Sequence, residues 1–228
     1  MEDGEGFVGS TQQKVKVRHP AKYSDSIISA LAAELEPGML VFDPFAGTGK
    51  VFDLLEGIDW VGMEIEKEWA DMHPLTLHGN VFIDIPEWWK GFFNAIATSP
   101  CYGNRYADNH NPKDGSERRG YKHDLGHDLH RDNSGQLQWG EMYRAFHRKA
   151  WPLIVETLEP GGLFLLNISN HIRGGEEMHV WEWHVQELIA TGLQLQHIYP
   201  INTPRMRKGK NHKVRVNSEY VFAFRKAA

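Results

Sequence analysis

One cysteine in 228 residues excludes an intramolecular disulfide and any multi-cysteine zinc site. Apolar runs are short, and none approaches the roughly 18 residues a membrane span requires. The opening segment has no apolar signal-peptide core, so a reducing, cytoplasmic compartment is expected. Excess positive charge is missing too: 25 Lys+Arg stand against 30 Asp+Glu, a formal −5. Overall charge therefore gives no reason to expect a polyanion-coated protein. With 41% hydrophobic and 24% charged residues, the chain reads as an ordinary globular protein. A polar, Gly-rich stretch at 1–13 is expected to be disordered, followed by one domain over 14–228.

Strand and helix signals alternate along the chain. Ser24, Asp25 or Ser26 is placed to cap a helix carrying Ile27, Ile28, Leu31 and Leu35, ending at Pro37-Gly38. MLVF (39–42) reads as a buried strand and VFDLLEG (51–57) as a helix. Further strands are expected at 59–65, 76–82 and 94–100, with a short helix over EKEWADM. From Gly103 to Trp139 the pattern dissolves into a long polar loop. Met142, Tyr143, Phe146 and Ile154 then mark a helix that Pro152 is placed to kink and EPGG to end. An apolar strand at 162–169 precedes a helix striped by Trp181, Val185, Leu188 and Ile189. Two strands, 192–201 and 219–226, flank a basic loop at 203–216. Alternation of this kind predicts parallel βαβ units in an α/β fold.

The turn VFDPFAGTGK (41–50) sets Gly47 and Gly49 between a buried strand and a helical signal. Glycine there permits a tight bend and lets a ligand approach backbone amides without a Cβ in the way. The expected helix N-terminus would present unpaired N–H groups to an anionic group. A Walker loop would need glycine at Pro44 and a hydroxyl at Val51, and a dinucleotide fingerprint would need glycine at Leu54. Neither fits. Glu64, at the end of the next strand, is suited to accept hydrogen bonds from ribose hydroxyls.

The fourth strand ends in Ser99-Pro100-Cys101-Tyr102, at the edge where open α/β sheets bind substrate. With this tetrapeptide the chain resembles the S-adenosylmethionine-dependent DNA amino-methyltransferases, which methylate cytosine N4 or adenine N6. Asp43-Pro44-Phe45-Ala46-Gly47-Thr48-Gly49 is similar to the family's D-P-F-x-G-x-G turn. Ser99-Pro100-Cys101-Tyr102 matches its [D/N/S]-P-P-[Y/F/W] tetrapeptide at all but Cys101. His19-Pro20-Ala21-Lys22-Tyr23 is similar to its N-terminal cofactor segment, and the likeness extends from about residue 14.

The resemblance implies a Rossmann-like, seven-stranded, mostly parallel sheet with an antiparallel last strand. It implies S-adenosylmethionine as cofactor, with Phe45 and Asn80 at its adenine and Glu64 at its ribose. Asp43 and Tyr23 fall to its methionine part, and Ala46, Gly47, Thr48 and Gly49 to the turn that carries it. Asn80 stands where an acid is common in the family. Ser99 and the Pro100 carbonyl would hold the N–H groups of the target amine, and Tyr102 would stack on an extruded base. Serine at the first position leans towards cytosine N4. A bacterial or phage modification enzyme is implied, alone or beside a cognate restriction enzyme, as monomer or homodimer.

Cys101 opens a second route, because a Pro-Cys pair also serves the cytosine-C5 methyltransferases, whose thiolate attacks the ring. An RNA base methyltransferase and a non-catalytic nucleic-acid-binding relative are further readings. His123, His127 and His130, with Asp124 and Asp128, have a spacing that zinc can use, but no metal is expected. Phosphate contacts are assigned to Asn104, Arg105, Arg118 and Arg119 in the polar loop and to Arg205, Arg207, Lys208 and Lys210 in the basic loop. Trp88, Trp89, Trp181 and Trp183 are assigned to core packing. DNA is the expected partner and a membrane is not.

Overall fold

The computed structural model describes residues 23–104, 120–203 and 216–228. The expected disordered start and most of the expected DNA-contacting residues lie outside these ranges. Strand β1 (Leu40–Asp43) is an inner strand of a seven-stranded sheet. It is flanked by β2 (Asp59–Glu64) with β3 (Thr76–His78), and by β4 (Phe93–Thr98) with β5 (Leu158–Ile168). Beyond β5 come β9 (Ser218–Lys226) and β8 (Leu193–Asn202), for an order β3-β2-β1-β4-β5-β9-β8. β1 to β5 are mutually parallel, and β9 runs antiparallel to both neighbours. The expected seven-stranded sheet with an antiparallel last strand is therefore present.

Alternation along the strands explains the layering. Val41, Ala95, Leu163, Leu165, Val221 and Ala223 face one core, shared with Ile27 and Leu31 of α1 (Asp25–Ala32). Their neighbours Phe42, Ile96, Phe164, Leu166, Phe222 and Phe224 face the other. That core takes Trp151 and Ile154 of α4 (Glu141–Glu156), and Val180 and Leu188 of α5 (Val180–Ala190). A sheet covered on both faces needs apolar residues at successive positions, which is why its strands read as continuous apolar runs. Ser24 is the α1 cap, accepting from the Ile27 N–H.

Several sequence expectations need correction. VFDLLEG is not an α-helix: Lys50–Asp53 forms one 3₁₀ turn. The chain must turn twice and travel back beside β1 within 50–58, and a 3₁₀ turn covers more length per residue than an α-turn. EPGG does not end α4 but lies inside β5, where pairing starts at Phe93↔Leu158 and resumes at Ala95↔Leu163 across a bulge. Gly161 supplies the positive φ (74°) that this bulge demands. β3 stops at His78, and Gly79-Asn80 begins a turn rather than more strand.

The described part of the polar stretch is not an open loop. It holds α3 (Tyr121–Leu125) and a 3₁₀ turn at Ser134–Gln136, and it buries Tyr121, Leu125 and Leu129 against Trp69 of α2 (Lys67–Ala70). Met142 (74% exposed), Ile189 and Trp88 face outwards; on α5, Val180, His184 and Leu188 are buried, and the expected Trp181 and Val185 pack against the same core. α4 continues through Pro152. An unexpected hairpin, β6 (His171–Arg173) with β7 (Glu176–Met178), follows β5. Among the described residues no helix is long and apolar enough to cross a membrane.

Candidate active site

Strand order reverses between β1 and β4, and this switch point is where α/β sheets open a crevice at their carboxyl ends. A cavity of about 450 Å³ lies there. Its wall includes Tyr23, Phe45, Ala46, Gly47, Thr48, Glu64, Asn80, Ser99, Pro100, Tyr102 and Asn104, all nominated from sequence. Asp43 is not part of the wall and is only 1% exposed; Gly49 also lies outside the lining.

Asp43 ends β1 and links it to β4. Its Oδ1 accepts the Thr98 hydroxyl at 2.7 Å and the Phe45 N–H at 3.1 Å. Its Oδ2 is buried with no hydrogen-bond partner. Burial pushes the Asp43 carboxyl up to about 7, against the pull of those two hydrogen bonds. Tyr23 is pushed well above its ordinary range, first by burial and then by the nearby charge of Asp43.

The glycine turn is shaped by Glu64. One carboxylate oxygen accepts the Gly47 N–H at 2.9 Å and the other accepts the Glu66 N–H at 2.9 Å. Desolvation again dominates and raises this carboxyl to about 7, with the backbone donors opposing it. Gly47 and Gly49 have φ of 55° and 64°. A Cβ on Gly49 would sit 2.6 Å from His73 Cβ, so this glycine is required by both conformation and space. The 3₁₀ turn that follows is too short to carry the helix-terminus anion site expected from the sequence.

The described end of the polar stretch closes one side of the cavity. Glu66, 3% exposed, accepts the His130 N–H at 2.8 Å and the Asn133 side-chain amide at 2.7 Å. Asn80 donates to Asp132 at 3.2 Å, and Tyr121 meets Trp69 edge to face at 5.1 Å between centroids. Sequence reasoning missed Trp69, Tyr121, Asp132 and Asn133 as cavity residues, and Glu66 as the buried carboxylate that ties this wall in place. The buried apolar members Tyr121, Leu125 and Leu129 were the available signal.

On the other side stands the tetrapeptide. Ser99 Oγ donates to Asn167 Oδ1 at 3.2 Å and lies 3.2 Å from the Tyr102 hydroxyl, which also reaches Asn167 Oδ1 at 3.3 Å. Asn167 donates its own amide to the Tyr220 carbonyl at 3.3 Å, which turns Oδ1 towards the two hydroxyls. The Ser99 proton is thereby engaged, and its remaining lone pair is suited to accept an N–H. Asn167 was missed from sequence, although a polar residue ending so apolar a strand is a visible signal.

Cys101 Sγ donates to the Tyr121 hydroxyl at 3.6 Å, and burial pushes its thiol up to about 11. That setting disfavours the thiolate on which a cytosine-C5 route would depend. The tetrapeptide backbone is held from behind by the Tyr143 hydroxyl, which donates to the Cys101 carbonyl at 2.7 Å.

Among the described residues no group of three His, Cys, Asp or Glu side chains is placed to hold a metal. His127 instead pairs with Glu68 at 3.0 Å. Asn104 lines the cavity with its Oδ1 buried and without a hydrogen-bond partner. Arg105, Arg118, Arg119, Arg205, Arg207, Lys208 and Lys210 lie outside the described residues. The flanking residues Asn104, Tyr121 and Glu219 all line the cavity.

No family model matches the chain, and a search of curated proteins finds no similar sequence. Solved structures share the fold at low identity. A SAM-dependent methyltransferase of Methanosarcina mazei is 10% identical, with a TM-score of 0.55 over 87% of this chain and 97% of that one. The 1,6-didemethyltoxoflavin-N1-methyltransferase of Burkholderia thailandensis, solved with S-adenosylhomocysteine bound, is 14% identical, with a TM-score of 0.53 over 88% and 76%. The [4+2]-cyclase SpnF is 13% identical, with a TM-score of 0.54 over 89% and 81%. The fold is thus that of class I SAM-dependent methyltransferases, a scaffold that also carries other chemistry.

Proposed function

We propose that this protein transfers a methyl group from S-adenosylmethionine to the exocyclic amine of a DNA base, cytosine N4 before adenine N6. One observation carries the reading: the Asp43–Gly49 turn and the Ser99–Tyr102 corner line or underlie the same cavity at the sheet's switch point. Among the structural neighbours are SAM-dependent methyltransferases, one with the demethylated cofactor bound.

The residues present suit such a donor. Beneath the glycine turn Asp43 keeps one buried oxygen without a hydrogen-bond partner, and a positively charged ligand group brought to that turn would offset its charge. Phe45 offers an aromatic wall, Asn80 a carboxamide, and Gly47 an unobstructed backbone. When bound, the donor supplies an activated methyl group on a positively charged sulfur.

The chain's own groups handle the acceptor. An exocyclic base amine is a poor nucleophile because its lone pair is delocalised into the ring. An N–H held by the Ser99 lone pair and another by the Pro100 carbonyl would favour the geometry in which that lone pair projects out of conjugation. Methyl transfer is then a direct displacement in which positioning supplies much of the acceleration. The nitrogen gains a methyl, and one of its protons leaves to water. Asp43 is engaged beneath the turn, so no strong base is assigned to the step. Tyr102 provides a ring for a base taken out of the duplex.

Incubation of purified protein with donor and duplex DNA, then mass spectrometry of the nucleosides, tests this. N4-methylcytosine or N6-methyladenine supports it. Product only on RNA, 5-methylcytosine, or no product from a protein that binds the donor would each reject it.

A further inference from the structure

Behind the tetrapeptide lies a buried polar chain that the reaction as described does not use. Tyr143 and Trp151 of α4 and His184 of α5 are each 0% exposed, in the largest hydrophobic core. The Tyr143 hydroxyl is 2.7 Å from the Cys101 carbonyl and 2.8 Å from His184 Nε2, and Trp151 Nε1 is 3.1 Å from His184 Nδ1. Donor and acceptor rules orient every bond in this chain. A carbonyl only accepts, so Tyr143 gives its single proton to Cys101. The His184 contact must then be an Nε2–H donating to the Tyr143 oxygen. That leaves Nδ1 as the acceptor for the indole N–H, which can only donate. The series Trp151 → His184 → Tyr143 → Cys101 therefore has one polarity and one histidine tautomer. Desolvation holds His184 well below its usual pKa and so keeps it neutral.

Such a chain has a direction and an end point. It terminates on the peptide between Cys101 and Tyr102, next to the two groups, Ser99 and the Pro100 carbonyl, assigned to the acceptor amine. The same loop leans on the Tyr143 ring, since a Cβ on Gly103 would lie 3.2 Å from Tyr143 Cδ2. Gly103 has φ of 67° and accepts the Trp139 N–H at 2.7 Å, so the loop is pinned immediately after the tetrapeptide as well. Apolar side chains would fill the core between α4 and α5 without any demand for hydrogen bonds. Polar groups there are costly unless every one is satisfied, and satisfied chains specify one geometry.

We propose that Tyr143 is a positioning residue for methyl transfer, its hydroxyl aligned by His184 and Trp151 so as to hold the Cys101 carbonyl and set the attitude of Ser99 and Pro100 towards the acceptor amine. The role in catalysis rests on the function proposed above. The anchoring itself does not.

Cys101 is the chain's single cysteine, so its modification by a thiol-reactive disulfide reports on this loop without any assay of activity. The test compares wild type with Tyr143→Phe, His184→Gln and His184→Leu. It follows the rate of Cys101 modification, the affinity for S-adenosylhomocysteine and the single-turnover methylation of duplex DNA. Tyr143→Phe keeps the ring and removes the bond. It is expected to speed modification tenfold or more and to slow methyl transfer at least tenfold, with ligand affinity changed less than threefold. His184→Gln can still donate to Tyr143 and accept from Trp151, so it is expected to behave closer to wild type than His184→Leu on both rates. Unchanged modification in Tyr143→Phe, or faster modification with unchanged methyl transfer, would overturn the assignment. Loss of ligand affinity in step with the rate would overturn it too, by showing a general structural role. If wild type methylates no DNA while Tyr143→Phe still exposes Cys101, the anchor stands and the proposed reaction falls.

Discussion

The Glu64 carboxylate and the backbone N–H of Gly47 meet at 2.9 Å, and this bond joins the turn after β1 to the end of β2. With its second oxygen on the Glu66 N–H, one side chain ties the glycine turn to the turn that follows β2. An acid at this position was assigned from sequence to a ribose. In the structure it first shapes the glycine turn, and any ligand hydroxyl would share oxygens already engaged. A carboxylate accepts several hydrogen bonds, so the two roles are compatible.

The buried, unpartnered oxygen of Asp43 beneath the glycine turn is expected to make donor binding sensitive to pH. Burial places the carboxyl at about 7, so at pH 6 most of the free protein carries it protonated. A ligand ammonium group favours the ionised form, so binding is expected to release a proton below pH 7 and affinity to rise from pH 5.5 to 7.5. Calorimetry of S-adenosylhomocysteine binding in buffers of different ionisation enthalpy measures that release. Asp43→Asn is expected to weaken binding by about 10- to 100-fold, or about 1.4–2.7 kcal/mol. It should also flatten the pH dependence attributable to this group.

Gly49 combines a positive φ with a close neighbour in His73. Gly49→Ala is expected to cost about 2–4 kcal/mol of stability, from left-handed backbone strain together with overpacking. Urea denaturation with and without ligand checks this, and ligand stabilisation should shrink as the turn deforms.

Cys101 and Ser99 are neighbours in the tetrapeptide with opposite predicted sensitivities. Cys101→Ala is expected to keep methyl transfer within about fivefold of wild type, because the thiol is protonated and faces Tyr121. Ser99→Ala is expected to lower it by about 100-fold with ligand affinity intact, through loss of an acceptor for the amine. Nucleoside mass spectrometry after timed incubation reads both. A dead Cys101→Ala beside an active Ser99→Ala would reverse the assignment.

His147 is fully buried, donates from Nδ1 to the Tyr143 carbonyl, and has no partner at Nε2. Desolvation lowers its pKa from 6.5 to about 4. A folded pKa below the unfolded one gives a contribution fully present above pH 6.5 and lost as pH falls towards 4. Relative to wild type, His147→Leu is therefore expected to gain about 2 kcal/mol between pH 7 and pH 5. Asp43 and Glu64 act with the opposite sign in the free protein. Their raised pKa values favour folding at low pH, and that benefit is lost as pH rises through about 7. Paired urea titrations of wild type and variant at both pH values isolate the histidine, because the carboxyl contributions cancel in the difference.

Local chemistry alone determined the seven strands of the main sheet, the helices α1, α4 and α5, the glycine turn, and the tetrapeptide at a strand's end. Periodicity and special backbone demands are written residue by residue, as in the Ile27–Leu31 spacing and the bend at Gly47 and Gly49. Tertiary structure decided what those residues touch. The EPGG segment became a bulge because β4 offered a partner for Leu158. The polar stretch became a wall because Tyr121 and Leu125 found Trp69. Asn167, Tyr143 and His184 carried no motif, and their roles follow from distances of about 3 Å between atoms 41 to 68 residues apart in sequence. Hydrogen bonds act over one atomic contact, and only the packed sheet determines which distant groups come that near.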